Sequence, residues 1–318
     1  MERYAPKYKA LASRDVVTRS IMKEIAEGRG AGAKKDHVLL DIRHLAEEII
    51  DKQLPGTRSI AAQFAGVEVL KEPIPVVPTA HYCMGGIPAT RECEVLGKDE
   101  RIVNGLYAVG EAACNSVHGA NRLGCNSLLD LVVFGKHSGE VAASRADAKK
   151  LSESDIPKAS LDKALAHFNV LSSAKGKEAP TDLRRVIRNI VQETAGIIRE
   201  EESMRQGLQK LEQIAGNFSK AFHIGEAGLA WNNMLVAAIE TENLLLQGIA
   251  TLASAQFRTE SRGAHYRSDC PHRDDDHWLA HTIVEVNDSG KPKCYTRPVR
   301  FNTGVAEAGT VQPETRVY

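Results

Sequence analysis

Apolar positions near the start of the chain recur with helical period. Val17, Ile21, Met22 and Ile25 form one stripe, which predicts a helix over residues 15–27 that the run Gly28-Arg29-Gly30-Ala31-Gly32 stops. The short apolar run Val38-Leu39-Leu40 predicts a strand over 37–41, and a second helix is predicted over 45–54, ended by Pro55-Gly56. Prolines 73, 75, 78 and 88 then punctuate extended segments. The run from Ile102 to Val109 predicts a strand that stops at Gly110-Glu111. After a Gly-rich loop, Asn126-Ser127-Leu128-Leu129-Asp130 opens an apolar helix through Val133 and Phe134. From 158 to 250 the pattern is helical throughout. Met204, Leu208, Leu211 and Ile214 share one face, and Leu235, Ala238 and Ile239 line the inner side of a long helix over 229–252. Such stripes predict a bundle whose role is scaffolding. Residues 256–318 return to polar, loop-rich composition, with strands predicted over 282–286 and 296–301.

The 318 residues suffice for one large domain or two to three smaller ones. Lys plus Arg and Asp plus Glu both number 41, so the formal net charge is zero and nothing points to nucleic-acid binding. Small charge clusters such as Arg184-Arg185 read as solvated helix faces. Six cysteines occur with no C-x-x-C pair, so no zinc, iron–sulfur or other metal site is expected from this chain, and their scattering suits a reducing compartment. No apolar run approaches the roughly 20 residues that cross a bilayer, so any membrane attachment is expected through a partner.

Chemistry concentrates in loops between 79 and 130. A strand stopping at Gly110 allows close backbone approach, and Glu111 can accept hydrogen bonds from ribityl or ribose hydroxyls. The helix start at Asn126, Ser127 and Leu128 offers backbone N–H groups and a positive dipole end, which suits the flavin edge that gains negative charge on reduction. Strand-Gly-acid turns also occur without cofactors, so spacing alone leaves the ligand open. Arg122, on a Gly-flanked loop, can present a planar fork to a carboxylate. His81 lies beside the Gly85-Gly86 turn. A lone loop histidine or arginine is commonly structural, but three such features within one loop-rich stretch point to a site.

The segments His81-Tyr82-Cys83-Met84-Gly85-Gly86-Ile87-Pro88, Gly110-Glu111-Ala112-Ala113-Cys114 and Ser116-Val117-His118-Gly119-Ala120-Asn121-Arg122-Leu123-Gly124, followed by Asn126 to Gly135, are similar to the flavoprotein subunit of the succinate dehydrogenase and fumarate reductase family. So are Leu11-Ala12-Ser13-Arg14-Asp15-Val16-Val17, Arg258-Thr259-Glu260-Ser261-Arg262-Gly263-Ala264-His265 and Arg273-Asp274-Asp275, and the resemblance covers the whole chain. It implies Arg14 as the proton shuttle, His81 and Arg122 as binders of the dicarboxylate substrate, and Glu111, Asn126, Ser127 and Leu128 as contacts of FAD. It further implies oxidation of succinate to fumarate and transfer of electrons to an iron–sulfur subunit and on to quinone. Membrane anchor subunits would hold the complex at the cytoplasmic face of a bacterial inner membrane or the matrix face of a mitochondrial one.

The family's G-x-G-x-x-G pyrophosphate cradle does not occur in this sequence, since Gly28, Gly30 and Gly32 have another spacing and follow a helix. The chain is therefore expected to be the C-terminal part of a longer flavoprotein and not to hold FAD alone. The apolar faces of 102–109 and 128–134 are expected to lie exposed. The expected architecture is α+β. Residues 1–78 would be the remainder of a capping domain, 79–145 the C-terminal part of a two-dinucleotide-binding-type FAD domain, 146–255 a helical bundle and 256–318 a small C-terminal domain. The alternatives are a fumarate reductase flavoprotein, an L-aspartate oxidase, or an inactive remnant that only binds a partner.

Overall fold

The computed structural model describes residues 1–146, 157–225, 228, 230–287, 289–299 and 314. The chain divides into two compact units, one built from Met1–Arg91 with Val95–Leu131 and the other from Glu92–Glu94 with Val132–Glu314.

In the first unit, helix α1 (Arg14–Ala26) starts one residue ahead of the predicted helix. The Ser13 hydroxyl donates to Asp15 Oδ1 at 2.6 Å, and Val16 joins Ala5 and Ala12 in a small apolar cluster. Strand β1 (Val38–Leu40) is followed by α2 (Glu47–Gln53) and α3 (Pro55–Ile60). Helix α2 stops before Pro55 as expected, and the same proline also opens α3. Its missing N–H and fixed φ suit the first helical position, where no intrahelical partner is needed. Strand β2 (Ile74–Val76) pairs antiparallel with β1, and Ile42, Ile50, Ala61, Val67, Val69 and Ile74 form the core beneath. An open apolar groove of about 540 Å³ runs past Ile60, Phe64 and Ile74 and contains none of the expected site residues.

The rest of that unit is made of short pairings. Strand β3 (Ile87–Pro88) is followed by β4 (Glu94–Leu96), β5 (Ile102–Tyr107) and β6 (Ala113–Cys114). β3 runs parallel to β6, and β4 pairs with β5. Helix α4 (Asn126–Arg145) begins where the sequence places it. The apolar faces of β5 and α4 are exposed as expected: Leu106 is 51%, Leu128 67% and Val132 69% accessible.

The second unit contains the bundle: α5 (Lys158–Ser172), α6 (Pro180–Thr194), α7 (Glu201–Ala221) and α8 (Asn233–Phe257). Met204, Leu211, Ile187, Leu245, Ile249 and Leu252 are almost wholly buried in one core, with Leu208, Ile214 and Ile239 packed against it. Helix α8 is long and apolar enough to cross a membrane by length and composition alone, a test that the core helix of a bundle also passes. Its inward residues are nevertheless buried against the other helices of the bundle. Asn232 caps α8 by accepting from Leu235 N at 3.0 Å. Arg184 is not the solvated residue expected. Its guanidinium ties α6 to α8 through Thr241 Oγ1 at 3.2 Å and Glu240 at 2.8 Å, while Arg185 stays exposed.

A short helix α9 (Asp275–Trp278) precedes the antiparallel hairpin of β7 (Ala280–Val286) and β8 (Pro292–Pro298), which packs on α8. The final strand was expected over 296–301. It ends at Pro298, and residues 300 and 301 lie outside the described residues. The charged run 258–276 forms a buried polar network. Glu260, wholly buried, accepts from Arg258 NH1 at 2.7 Å, Arg262 Nε at 2.7 Å and Asp274 N at 2.8 Å. Arg267 spreads its fork over Asp269, Glu201 and the carbonyls of Gln256 and Arg258, which satisfies the C-terminal carbonyls of α8 with a cation.

Candidate active site

The parallel pairing of β3 with β6 draws two loops together, the turn at 81–86 and the stretch from Gly110 to Arg122. Gly86 makes this approach possible. At φ +133 a side chain is disfavoured, and a Cβ there would lie 2.6 Å from the Ala112 carbonyl oxygen. Across the gap, Cys83 N–H donates to Glu111 Oε1 at 2.9 Å. One oxygen of the expected flavin contact thus also holds the histidine turn in place. Glu111 itself is exposed, so its carboxylate remains accessible to a ligand hydroxyl.

His81 and Arg122 meet directly. Arg122 NH2 lies 3.1 Å from His81 Nε2. A guanidinium carries only donors, so Nε2 accepts and the ring proton sits on Nδ1. Arg122 NH1 donates to the Leu123 carbonyl at 2.8 Å, while its Nε is buried without a hydrogen-bond partner among the described residues. The guanidinium carbon stacks 4.5 Å from the centroid of Tyr82. Burial pushes the Tyr82 phenol up, Asp130 and Glu111 push it further, and Arg122 opposes them. The loop that carries Arg122 is bracketed by non-glycine residues with left-handed backbone, Ser116 at φ 65 and Cys125 at φ 64. Such residues cost of order 1 kcal/mol or more and persist where surrounding structure imposes them, often at functional loops.

Arg14 is the first residue of α1 and is exposed. Its neighbour Asp15 is buried, pairs with Arg19 at 3.0 Å and accepts from Asn121 Nδ2 at 3.1 Å. That bond joins the start of α1 to the residue preceding Arg122. His81 and Arg122 are therefore in contact, and Arg14 is attached to the same loop through Asp15 and Asn121.

Asn126, Ser127 and Leu128 form the first turn of α4. Asn126 N and Leu128 N are used by the preceding turn, donating to the Leu123 and Cys125 carbonyls at 3.2 Å each. What the helix offers a ligand is mainly its positive end and the exposed Leu128 side chain. A helix terminus, an accessible carboxylate and an exposed apolar surface fit one side of a flavin. Sequence inspection missed Asp15 and Asn121 as tethers, and gave no role to Tyr82, His118 or Asp130. Their signal is present only as letters within the quoted motifs, since nothing in their spacing reports the contacts.

Two family models match the chain: the FAD binding domain over residues 2–128 and the fumarate reductase flavoprotein C-terminal domain over 184–318. Together with the mixed helix and strand content, they define a flavoprotein fold of the fumarate reductase type. A succinate dehydrogenase flavoprotein subunit of Rickettsia felis is 46% identical over all of this chain and 54% of its own length. The mitochondrial succinate dehydrogenase flavoprotein subunit of Oryza sativa is 42% identical over all of this chain and 51% of its own length. Among solved structures, an E. coli quinol fumarate reductase aligns with a TM-score of 0.85 and 36% identity over 97% of this chain and 51% of that one. The chain belongs to the succinate dehydrogenase and fumarate reductase flavoprotein family. It spans about half the length of the curated relatives it matches.

Proposed function

We propose that this chain carries the dicarboxylate clamp and one flavin-facing side of an FAD-dependent oxidoreductase that oxidises succinate to fumarate. The observation that carries the reading is the contact between Arg122 and His81, held on two loops beside Glu111 and the start of α4. Bound FAD would supply the two-electron acceptor for the hydride that leaves one methylene carbon of succinate. Arg122 and His81 would grip a carboxylate, exchanging their mutual hydrogen bond for bonds to its oxygens. This fixes the carbon chain and offsets charge that builds on the carboxylate as the neighbouring carbon loses its proton. Arg14, tethered through Asp15 and Asn121, would take that proton as the neutral guanidine, which a proton relay would have to regenerate by carrying its proton away before each turnover. Glu111, Asn126, Ser127 and Leu128 would hold the flavin. The exposed apolar side chains of β5 and α4 support the reading, because surface of this kind marks a place where another body packs.

The same residues serve fumarate reduction, and the matched proteins include both activities by name. The higher identity of the succinate dehydrogenases favours oxidation as the working direction. In the proposed assembly an iron–sulfur subunit takes the electrons to quinone, and anchor subunits hold the complex at the inner membrane of a bacterium or mitochondrion. Residues 1–78, 79–145, 146–255 and 256–318 are proposed as capping, flavin, bundle and C-terminal parts.

The test is Arg122→Ala in the flavin-loaded protein, read by succinate–dye turnover and by malonate affinity. Losing one preorganised donor removes about 10²–10³ in rate. Unchanged turnover together with unchanged malonate affinity would remove Arg122 from the site and the proposal with it.

A further inference from the structure

We propose that Tyr82, His118 and Asp130 form a column that positions the Arg122 guanidinium for its carboxylate ligand. The inference rests on the assignment of Arg122 as a carboxylate binder and adds residues to which nothing above gives a role. Asp130 stands in the second turn of α4, with its side chain only 6% exposed. Its Oδ2 lies 3.0 Å from His118 Nε2, and the His118 side chain is itself 9% exposed. The His118 ring meets Tyr82 edge to face, with centroids 5.5 Å apart and planes at 90°. Tyr82 in turn carries the Arg122 guanidinium at 4.5 Å. Four side chains on three separate segments thus stack from the start of α4 to the expected substrate clamp.

An arginine side chain has about 2 kcal/mol of rotamer entropy to lose when it is fixed. Hydrogen bonds do only part of the fixing here. Among the described residues Arg122 Nε has no hydrogen-bond partner, and NH2 is held by His81, which must turn to a carboxylate when one binds. The stack on Tyr82 is the restraint that survives ligand entry, since a ligand approaching in the guanidinium plane leaves the ring face in contact. Tyr82 sits on a turn next to two glycines and needs a restraint of its own. His118 provides it, and Asp130 fixes the imidazole by accepting from Nε2–H. Buried Asp130 and His118 also explain each other, because either alone would be a costly buried polar group.

The test compares Tyr82→Leu, Tyr82→Phe and Asp130→Asn in the flavin-loaded protein, alone and combined with Arg122→Ala. Malonate affinity is measured by calorimetry, with succinate KM and kcat alongside. Tyr82→Leu is expected to weaken malonate and raise KM about tenfold, as befits loss of a partly desolvated cation–π contact. Tyr82→Phe keeps the ring face and should retain most of that affinity. Asp130→Asn is expected to weaken malonate about three- to fivefold. In the Arg122→Ala background the Tyr82→Leu change should add less than twofold, because the group it positions is gone. The column is overturned if Tyr82→Leu leaves malonate affinity within twofold, or if its effect is undiminished without Arg122. Should Tyr82→Leu not fold, Asp130→Asn with and without Arg122→Ala decides by the same criterion. If Arg122→Ala itself has no effect, the clamp assignment fails. If Arg122→Ala weakens binding and the column variants do not, only the column fails.

Discussion

His265 should make the protein lose stability as pH falls through the range just below neutral, and His265→Gln should remove its share of that loss. The ring lies in a cage of arginines. Arg199 NH1 donates to Nδ1 at 2.8 Å, so Nδ1 carries the lone pair. Nε2–H then donates to the Arg258 carbonyl at 3.3 Å. A second proton on Nδ1 would break the Arg199 bond and set two cations against each other. Burial pushes the imidazole down, the Arg199, Arg258 and Arg267 charges push it further, and the Arg258 carbonyl only partly opposes them, leaving it at about 4 against an ordinary 6.5.

The sign follows directly. Between those values the unfolded chain binds a proton that the folded protein does not, so stability rises with pH. The contribution is complete above 6.5 and is lost as pH falls from 6.5 toward 4. The fall from 6.5 to about 4 sets a ceiling of about 3 kcal/mol, and solvent screening of a partly exposed ring brings the expected value nearer about 2 kcal/mol. The assay is denaturant unfolding of wild type and His265→Gln at pH 8, 7, 6 and 5. Glutamine can accept from Arg199 and donate to Arg258 without titrating. His281 is also lowered, by burial and then by Arg297 and Arg258, but it titrates in both proteins and cancels in the comparison. The wild type should lose about 1–2 kcal/mol more than the variant between pH 7 and 5. Parallel stability lines would refute the cage.

Glu260→Ala should cost about 3–5 kcal/mol, because it leaves the Arg258 and Arg262 guanidiniums, 13% and 19% exposed, without their shared carboxylate; the difference in denaturant midpoints measures this, and a cost under 1 kcal/mol would count against the network. Arg14→Lys should keep malonate affinity within about threefold and lower succinate turnover about 10²-fold or more, since lysine keeps the charge but not the reach and fork of a proton-transfer group. Normal turnover in a variant that binds malonate normally would exclude Arg14 as the shuttle.

What the sequence made legible depends on how local the cause is. The start of α4 at Asn126 and the bundle stripe Met204-Leu208-Leu211 were readable because periodicity is a property of neighbours along the chain. Pro55 ends α2 as the sequence predicts, but its second role in opening α3 has no local signal, because one residue type serves opposite ends of helices and only the packing of Ile50 and Ala61 into one core brings the two together. Arg184 was misread because an arginine on a helix looks solvated until α8 is placed beside it. The charged run at 258–276 shows the same limit from the other side. Its composition reads only as polar and loop-rich, whereas its carboxylates and guanidiniums satisfy one another so fully that Glu260 and Arg267 enter the interior. His81 and Arg122 could be singled out by motif, but their meeting depends on two-residue strands pairing 26 positions apart, Ile87 with Ala113. No window of sequence contains that pairing. It is also why the column from Asp130 to Arg122 had no signature: each residue is ordinary where it stands, and the function lies in distances that only the fold supplies.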